Sequence, residues 1–190
     1  MSESGLTVVR HGATEWSANG RHTSYTDLPL TDDGEREAIA VGRRLSSRPF
    51  ALVLTSPRRR ARDTARLAGY PDAVVDENLA EWDYGDEEGR TTLEIRAERP
   101  GWDPWRDGFT GGEAIGAVAA RADAVIHRVE AADGAVLAFA HAHVLRILAA
   151  RWVGLAPQFG RHITLDPATV SEFGWYREDR VIAEWNSHAR

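Results

Sequence analysis

Two kinds of residue are missing from this chain, and each absence excludes a class of chemistry. Cysteine is absent, which excludes thiol catalysis, disulfide bonds and cysteine-ligated metal centres. Lysine is absent as well, because all 23 basic residues are arginine. This excludes Schiff-base chemistry and the lysine of a P-loop. If the chain is an enzyme, its nucleophile must be His, Ser, Thr, Asp or Glu.

Long apolar runs and an excess of positive charge are lacking too. No segment could span a bilayer and no N-terminal signal pattern is present, so we expect a cytoplasmic protein without a membrane partner. The net charge of −6 argues against a nucleic-acid partner. A length of 190 residues with 43% hydrophobic residues predicts a single folded domain over residues 1–190. The sequence does not determine the oligomeric state, and a homodimer stays open.

The order of the apolar and amphipathic segments predicts an α/β fold. Strands are expected at 6–10, 51–55, 73–76, 135–140, 169–176 and 181–185, and helices after Thr31, after Pro57 and over 92–98, 113–130 and 144–152. Their alternation predicts a three-layer sandwich, in which helices cover both faces of a mostly parallel central sheet. The segment 13–30 is expected to be turn-rich. Residues 101–108 are expected to form an irregular cap, in which Trp102 and Trp105 pack against the core.

Polar residues that can carry chemistry follow four of the predicted strands. In chain order they are Arg10 and His11, then Ser56 with the arginines of 58–62, then Glu81, then His141 and His143. Because parallel strands end at one edge of a sheet, we expect these groups to converge. Helical geometry allows only one or two of the four arginines in 58–62 to reach that edge, and it does not say which.

Imidazoles, guanidiniums and a carboxylate together suit a phosphoryl group. Arginine offers a planar fork to phosphate oxygens. A neutral imidazole can attack phosphorus if its other nitrogen is held by a hydrogen-bond acceptor. A carboxylic acid with apolar neighbours can protonate a leaving alkoxide. Glu81 has the most apolar neighbours, and Glu77, Asp83 and Asp86 are rival carboxylates in the same loop. No metal-binding pattern such as His-Glu-x-x-His is present, so the sequence predicts phosphoryl chemistry on a small molecule without a metal or another cofactor.

Four motifs spread over the chain point to a known family. Arg10-His11-Gly12 runs on into T-E-W and later D-L-P-L-T, and S-P-x-x-R-A-x-x-T-A begins at residue 56. A glutamate precedes Gly85 by four residues, and His141 precedes Arg146 by five. The chain thereby resembles the histidine phosphatase (phosphoglycerate mutase-like) superfamily. The stretches T-E-W-S and E-W-D-Y-G-D-x-E-G resemble the branch that contains sedoheptulose-1,7-bisphosphatase and mycobacterial acid phosphatases.

The resemblance implies a metal-independent phosphomonoesterase that acts on a small metabolite, such as a sugar phosphate, through a phosphohistidine. It makes His11 the nucleophile and Glu81 the proton donor, while Arg10, Arg60 and the catalytic His141 bind the phosphoryl group. The residues expected on the substrate side are Ser17, Arg21, His22, Thr23, Arg106 and His143.

Three positions depart from the family pattern. Ser17 stands for asparagine, Ser24 for glycine, and Ala142 for the glycine that usually follows the second histidine. The first two positions lie on the substrate side, so these departures affect the prediction of substrate specificity and not that of the phosphoryl chemistry. A phosphoglycerate mutase is the alternative enzyme, although the chain lacks room for the insertions typical of mutases. A non-catalytic protein that binds phosphorylated ligands is the alternative outside enzymes.

Overall fold

A mixed β-sheet forms the centre of the computed structural model, which describes residues 5–189. Its six strands are β1 (Leu6–Arg10), β2 (Leu52–Thr55), β3 (Val74–Val75), β4 (Val136–Ala140), β5 (Thr169–Tyr176) and β6 (Asp179–His188), in the order β3-β2-β4-β1-β5-β6. The first four strands pair in parallel, and β5 and β6 are antiparallel to their neighbours. The predicted mostly parallel sheet is confirmed.

Helices cover both faces of this sheet. They are α1 (Glu15–Asn19), α2 (Asp32–Leu45), α3 (Arg59–Leu67), α4 (Thr92–Glu98), α5 (Pro104–Asp107), α6 (Ile115–Glu130) and α7 (Ala142–Trp152). Successive residues of a strand point to opposite faces. Accordingly, Val8 of β1 belongs to the apolar cluster that contains residues of α6 and α7, whereas Val9 packs with Val41 of α2 and Ala65 of α3. The α/β sandwich of three layers is confirmed.

The loop after β1 lies directly against the first turn of α2. Thr31 caps that helix by accepting a hydrogen bond from the backbone N–H of Gly34. A Cβ atom on Gly34 would lie 2.2 Å from the carbonyl oxygen of Ala13, and one on Gly12 would lie 2.4 Å from the carbonyl oxygen of Gly34. The two glycines therefore allow the loop that follows His11 to pack against a helix start.

Two segments are more regular than the sequence predicts. The turn-rich segment 13–30 contains α1, which Thr14 caps in a reciprocal pair of hydrogen bonds with Ser17. The cap at 101–108 contains α5, and Trp102 and Trp105 are buried in the core as expected. Between residues 5 and 189, no helix combines the length and the apolarity that crossing a membrane requires.

Candidate active site

The carboxyl ends of β1 and β4 bring two histidines together. These strands are neighbours, and the backbone N–H of His11 donates to the carbonyl oxygen of Ala140 at 3.0 Å. His141 follows Ala140 directly, so the two imidazole ring centres lie 5.2 Å apart. The convergence of strand ends that the sequence predicts therefore occurs at this edge of the sheet.

His11 is held as one tautomer by its own backbone. Its Nδ1 lies 2.8 Å from the carbonyl oxygen of Gly12, and a carbonyl can only accept, so Nδ1 carries the hydrogen and Nε2 keeps a lone pair. Burial, together with the positive charges of Arg60 and Arg10, lowers the pKa of His11 well below its ordinary value. The imidazole is thus neutral near pH 7, and the side chain lines the cavity described below.

Arg60 is the arginine of the 58–62 run that the fold buries completely. Its guanidinium donates to the carbonyl oxygens of Thr23, Ser24 and Thr26 at 3.0, 3.3 and 3.2 Å. By contrast, Arg59 is exposed and pairs with an aspartate of its own helix. The structure thus selects one arginine where helical geometry alone left the choice open.

Three buried nitrogen atoms near His11 have no hydrogen-bond partner within residues 5–189. They are Nε of Arg10, Nε of Arg60 and Nδ1 of His141. The Nε2 atom of His141 is 2.7 Å from the hydroxyl of Ser56, and burial and Arg60 lower the pKa of His141 well below its ordinary value. Buried polar atoms are normally paired, so these three nitrogens, two of which belong to guanidinium groups, are candidates to bind an anion.

Glu81 accepts three backbone hydrogen bonds. Its Oε1 accepts from the N–H groups of Trp82 and Val144 at 3.0 and 2.9 Å, and its Oε2 accepts from that of His143 at 3.1 Å. Two of these donors belong to the first turn of α7. These bonds hold the carboxylate of Glu81 against the start of α7, and Glu81 also lines the cavity described next.

A cavity of about 170 Å³ opens beside these residues. It is lined by Arg10, His11, Ser17, Gly20, Arg21, His22, Thr23, Glu81, Tyr84, Ala142 and His143. Five of the six residues predicted on the substrate side thus lie in its wall. Arg106 does not, because α5 turns Trp105 into the core and leaves Arg106 exposed, paired with Asp107 and the carbonyl oxygen of Gly101.

Two wall residues, Gly20 and Tyr84, were missed by the sequence analysis, and Tyr84 is the one with a polar side chain. Its hydroxyl lies 2.6 Å from Nδ1 of His143, and its ring packs against His22. Burial lowers the pKa of His22 to about 4, so this imidazole is neutral near pH 7 as well. The stretch E-W-D-Y-G predicts a role for its glutamate, but nothing in it indicates that its tyrosine contacts a histidine of α7.

No group of three or more His, Asp or Glu side chains within residues 5–189 could hold a metal ion. What the site offers is a neutral imidazole with a free nitrogen, two guanidiniums, a second imidazole and a carboxylate. This combination can bind a phosphoryl group, attack it and exchange a proton with the leaving oxygen.

Comparisons with known proteins agree with that chemistry. The sequence pattern of the histidine phosphatase superfamily (branch 1) matches residues 6–188, so the chain belongs to this superfamily. An acid phosphatase of Mycobacterium tuberculosis is 38% identical over 184 residues, which cover 94% of this chain and 90% of that protein. The sedoheptulose 1,7-bisphosphatase of Saccharomyces cerevisiae is 40% identical over 185 residues, covering 80% of this chain and 68% of that protein.

The fold of this chain is also similar to that of a solved structure. The product of an open reading frame of Mycobacterium tuberculosis superimposes with a TM-score of 0.94 and 37% identity, covering 98% of this chain and 99% of the other. Within the superfamily, the chain is a phosphatase.

Proposed function

We propose that the chain hydrolyses phosphate monoesters of small metabolites through a phosphohistidine at His11, without a metal ion. The observation that carries this proposal is the fixed tautomer of His11. The hydrogen bond from Nδ1 to Gly12 leaves Nε2 as a nucleophile. Arg10, Arg60 and His141 each carry a buried nitrogen without a hydrogen-bond partner in the described part of the chain, and the ring centre of His141 lies 5.2 Å from that of His11. The tautomer gives the imidazole a reactive nitrogen, and the other nitrogens give the phosphoryl oxygens hydrogen bonds and positive charge.

The reaction has two steps. In the first, Nε2 of His11 attacks phosphorus, the ester P–O bond breaks, and Glu81 gives a proton to the leaving alkoxide. In the second, Glu81 takes a proton from water, the water oxygen attacks phosphorus, and the P–N bond breaks to release phosphate. Arg10 and Arg60 balance the phosphoryl charge in both steps, and the neutral imidazole of His141 contributes a hydrogen bond.

We further propose that the leaving group is a neutral, hydroxylated molecule such as a sugar. Arg21, the cation in the outer wall of the cavity, is already engaged, because it donates to the carbonyl oxygen of Gly89 at 2.6 Å and pairs with Glu94. The other substrate-side groups are the hydroxyls of Ser17 and Thr23 and two imidazoles, and these suit hydroxyl groups better than a second anion. The name of the sedoheptulose 1,7-bisphosphatase relative agrees with a sugar ester, but a bisphosphate leaves a sugar that still carries a phosphate, so the neutral leaving group is proposed for this chain alone.

Radiolabelled phosphate tests the proposal against a non-catalytic binding protein. After reaction with a labelled sugar phosphate, the protein should retain a label that is stable to base and labile to acid, and His11→Ala should retain none. A protein that binds the ester but never carries the label would be a binding protein. Phosphate release from a panel of sugar phosphates, compared with isomerisation of phosphoglycerate, separates the phosphatase from a mutase.

We also propose a cytoplasmic location, with a small phosphorylated molecule as the partner and neither nucleic acid nor a membrane. The net charge of −6 supports the absence of nucleic-acid and membrane partners, because both are polyanions that a negatively charged protein does not attract. Gel-shift and liposome-flotation assays at low salt should show no binding, and retention in either assay would contradict the proposal.

A further inference from the structure

A buried hydroxyl joins the loop that follows His11 to the helix that carries Arg60, and neither step above uses it. The hydroxyl belongs to Thr64, which is fully buried on α3. Its Oγ1 lies 2.7 Å from the carbonyl oxygen of Arg60 and 3.0 Å from the backbone nitrogen of Gly12. The first contact lies within one turn of α3, whereas the second spans 52 positions of the sequence and links two elements of the fold.

The direction of both hydrogen bonds is fixed by the backbone groups. A carbonyl oxygen can only accept, so the hydrogen of the Thr64 hydroxyl points to Arg60. A bond of this kind, to the carbonyl four residues earlier, is common for threonine inside a helix. A backbone N–H can only donate, so Gly12 donates to a lone pair of the same hydroxyl oxygen. Thr64 is therefore the acceptor for Gly12.

Gly12 in turn holds the imidazole of His11. Its carbonyl oxygen accepts from Nδ1 of His11 at 2.8 Å, so the bond that selects the reactive tautomer depends on the orientation of the backbone at residue 12. Glycine restricts its own φ and ψ less than any other residue. The bond from its N–H to Thr64 therefore supplies a restraint that the missing Cβ atom cannot.

The backbone of His11 itself has other partners. Its N–H donates to the carbonyl oxygen of Ala140 at 3.0 Å, and its carbonyl oxygen accepts from the N–H of Ala168 at 3.1 Å. The next N–H along the chain, that of Gly12, is buried and donates to Thr64. A buried donor that loses its acceptor is unfavourable, so removal of the Thr64 hydroxyl would favour rotation of the backbone at residue 12 and loss of its bond with Nδ1.

We propose that Thr64 is a positioning residue, which holds the backbone of Gly12 so that its carbonyl keeps the hydrogen of His11 on Nδ1 and leaves Nε2 as the attacking nitrogen. Thr64 thus acts through His11 and not on the phosphoryl group, which the guanidiniums of Arg10 and Arg60 bind. This inference rests on the proposed function and adds a residue that the attack on phosphorus requires.

Thr64→Val tests the proposal, because valine has nearly the shape of threonine and lacks the hydroxyl. The substrate is nitrophenyl phosphate, whose leaving group needs little help from a proton, so the rate reports the attack by His11. In single-turnover assays we expect phosphorylation of the enzyme to slow roughly 10–100-fold, as for misplacement of a reacting group. The inhibition constant of inorganic phosphate should change less than about twofold, because phosphate binding does not require the attacking nitrogen.

Three further variants show which part of Thr64 matters. Thr64→Ser keeps the hydroxyl, and its rate should stay within about threefold of the wild type. Thr64→Ala lacks the hydroxyl and places no methyl group against the two backbone groups, and it should be as slow as Thr64→Val. Thr7→Val is the matched control, because Thr7 is also buried and its hydroxyl accepts from Arg48 at 3.3 Å. It should change neither the rate nor the inhibition constant.

Several outcomes would overturn the proposal. A merely structural role of Thr64 would weaken inhibition by phosphate as much as it slows phosphorylation. Wild-type rates in Thr64→Val and Thr64→Ala, a rate in Thr64→Ser as low as theirs, or the same loss in Thr7→Val would also contradict it.

Nitrogen-15 NMR of His11 gives a test that does not need turnover. In the wild-type protein the hydrogen should lie on Nδ1, and in Thr64→Ala it should be divided between the two ring nitrogens. A hydrogen that stays wholly on Nδ1 in Thr64→Ala would overturn the proposal. If the wild-type protein is never phosphorylated, the proposed function fails, and the NMR measurement still decides the role of Thr64.

Discussion

Replacing Glu81 by glutamine separates the proposed role of this carboxylate as a proton donor from its role as an acceptor of backbone hydrogen bonds. Its oxygens accept three backbone N–H bonds at the start of α7, and it lines the cavity where a leaving group would bind. Loss of the acid should slow transfer from an alkyl phosphate by roughly 10²-fold or more, the usual range for general acid catalysis. Nitrophenyl phosphate should be slowed much less, because nitrophenolate leaves with little help from a proton.

The structural cost of Glu81→Gln can be worked from the same contacts. Glutamine keeps one oxygen for Trp82 and Val144 but turns an NH₂ group toward the N–H of His143, so one of three bonds is lost. That loss costs roughly 1–2 kcal/mol, which corresponds to a fall in Tm of about 2–8 °C for a chain of this size. A purely structural effect of this kind slows all substrates equally.

Single-turnover rates of enzyme phosphorylation, measured with both substrates, decide between the two roles. Asp83→Asn is the matched control, because Asp83 lies in the same loop and its carboxylate accepts one backbone bond, from Gly85 at 2.9 Å. The control should show no substrate-dependent loss. If Asp83→Asn shows that loss and Glu81→Gln does not, the proton donor is Asp83. If Glu81→Gln slows both substrates equally, the acid role is refuted.

Three other predictions follow from the site. His11→Ala should abolish turnover while thermal unfolding stays close to wild type, and more than a small residual activity would contradict the nucleophile assignment. EDTA should leave activity unchanged, because the guanidiniums of Arg10 and Arg60 neutralise the phosphoryl charge, whereas loss that a divalent metal restores would contradict this. The folded-state pKa of His22, about 4, is below its unfolded value, so its stabilising effect is present above about pH 6.5 and is lost as the pH falls toward 4. Between pH 7 and 5, the wild type should lose about 2 kcal/mol more unfolding free energy than His22→Gln, as measured by denaturant titration. The control is His127→Gln, at an exposed position, which should lose as much unfolding free energy as the wild type.

Local signals were enough to predict most of the fold. Thr31 marked the start of α2, and α4 has the predicted bounds of 92–98, because its cap and the proline that follows it lie close together in the sequence. The short helix α1 was missed because it has no buried residues and therefore no apolar periodicity. Its capping box uses serine at the third helical position, where glutamate or glutamine is the usual signal.

The site depended on contacts that local sequence does not contain. Arg60 differs from the neighbouring arginines because it donates to three carbonyl oxygens, each from a residue 34 to 37 positions earlier in the sequence. Glu81 receives its backbone donors from a helix that begins about 60 residues later. Tyr84 meets His143 across a separation of 59 residues. The resemblance to the family predicted which residues belong to the site, whereas the hydrogen bonds among them can be seen only in the tertiary structure.

The way in which Arg60 is anchored bears on how this enzyme could acquire new substrates. Its guanidinium is held by main-chain carbonyl oxygens of Thr23, Ser24 and Thr26, and every amino acid carries such a carbonyl. The side chain of Thr23 meanwhile forms part of the cavity wall. In the proposed site, one short loop thus supports phosphoryl binding through its backbone and substrate selection through its side chains. We expect substitutions at position 23 to change the substrate while the hydrogen bonds from Arg60 to the main chain remain. New leaving groups can then be selected in evolution without loss of phosphoryl binding.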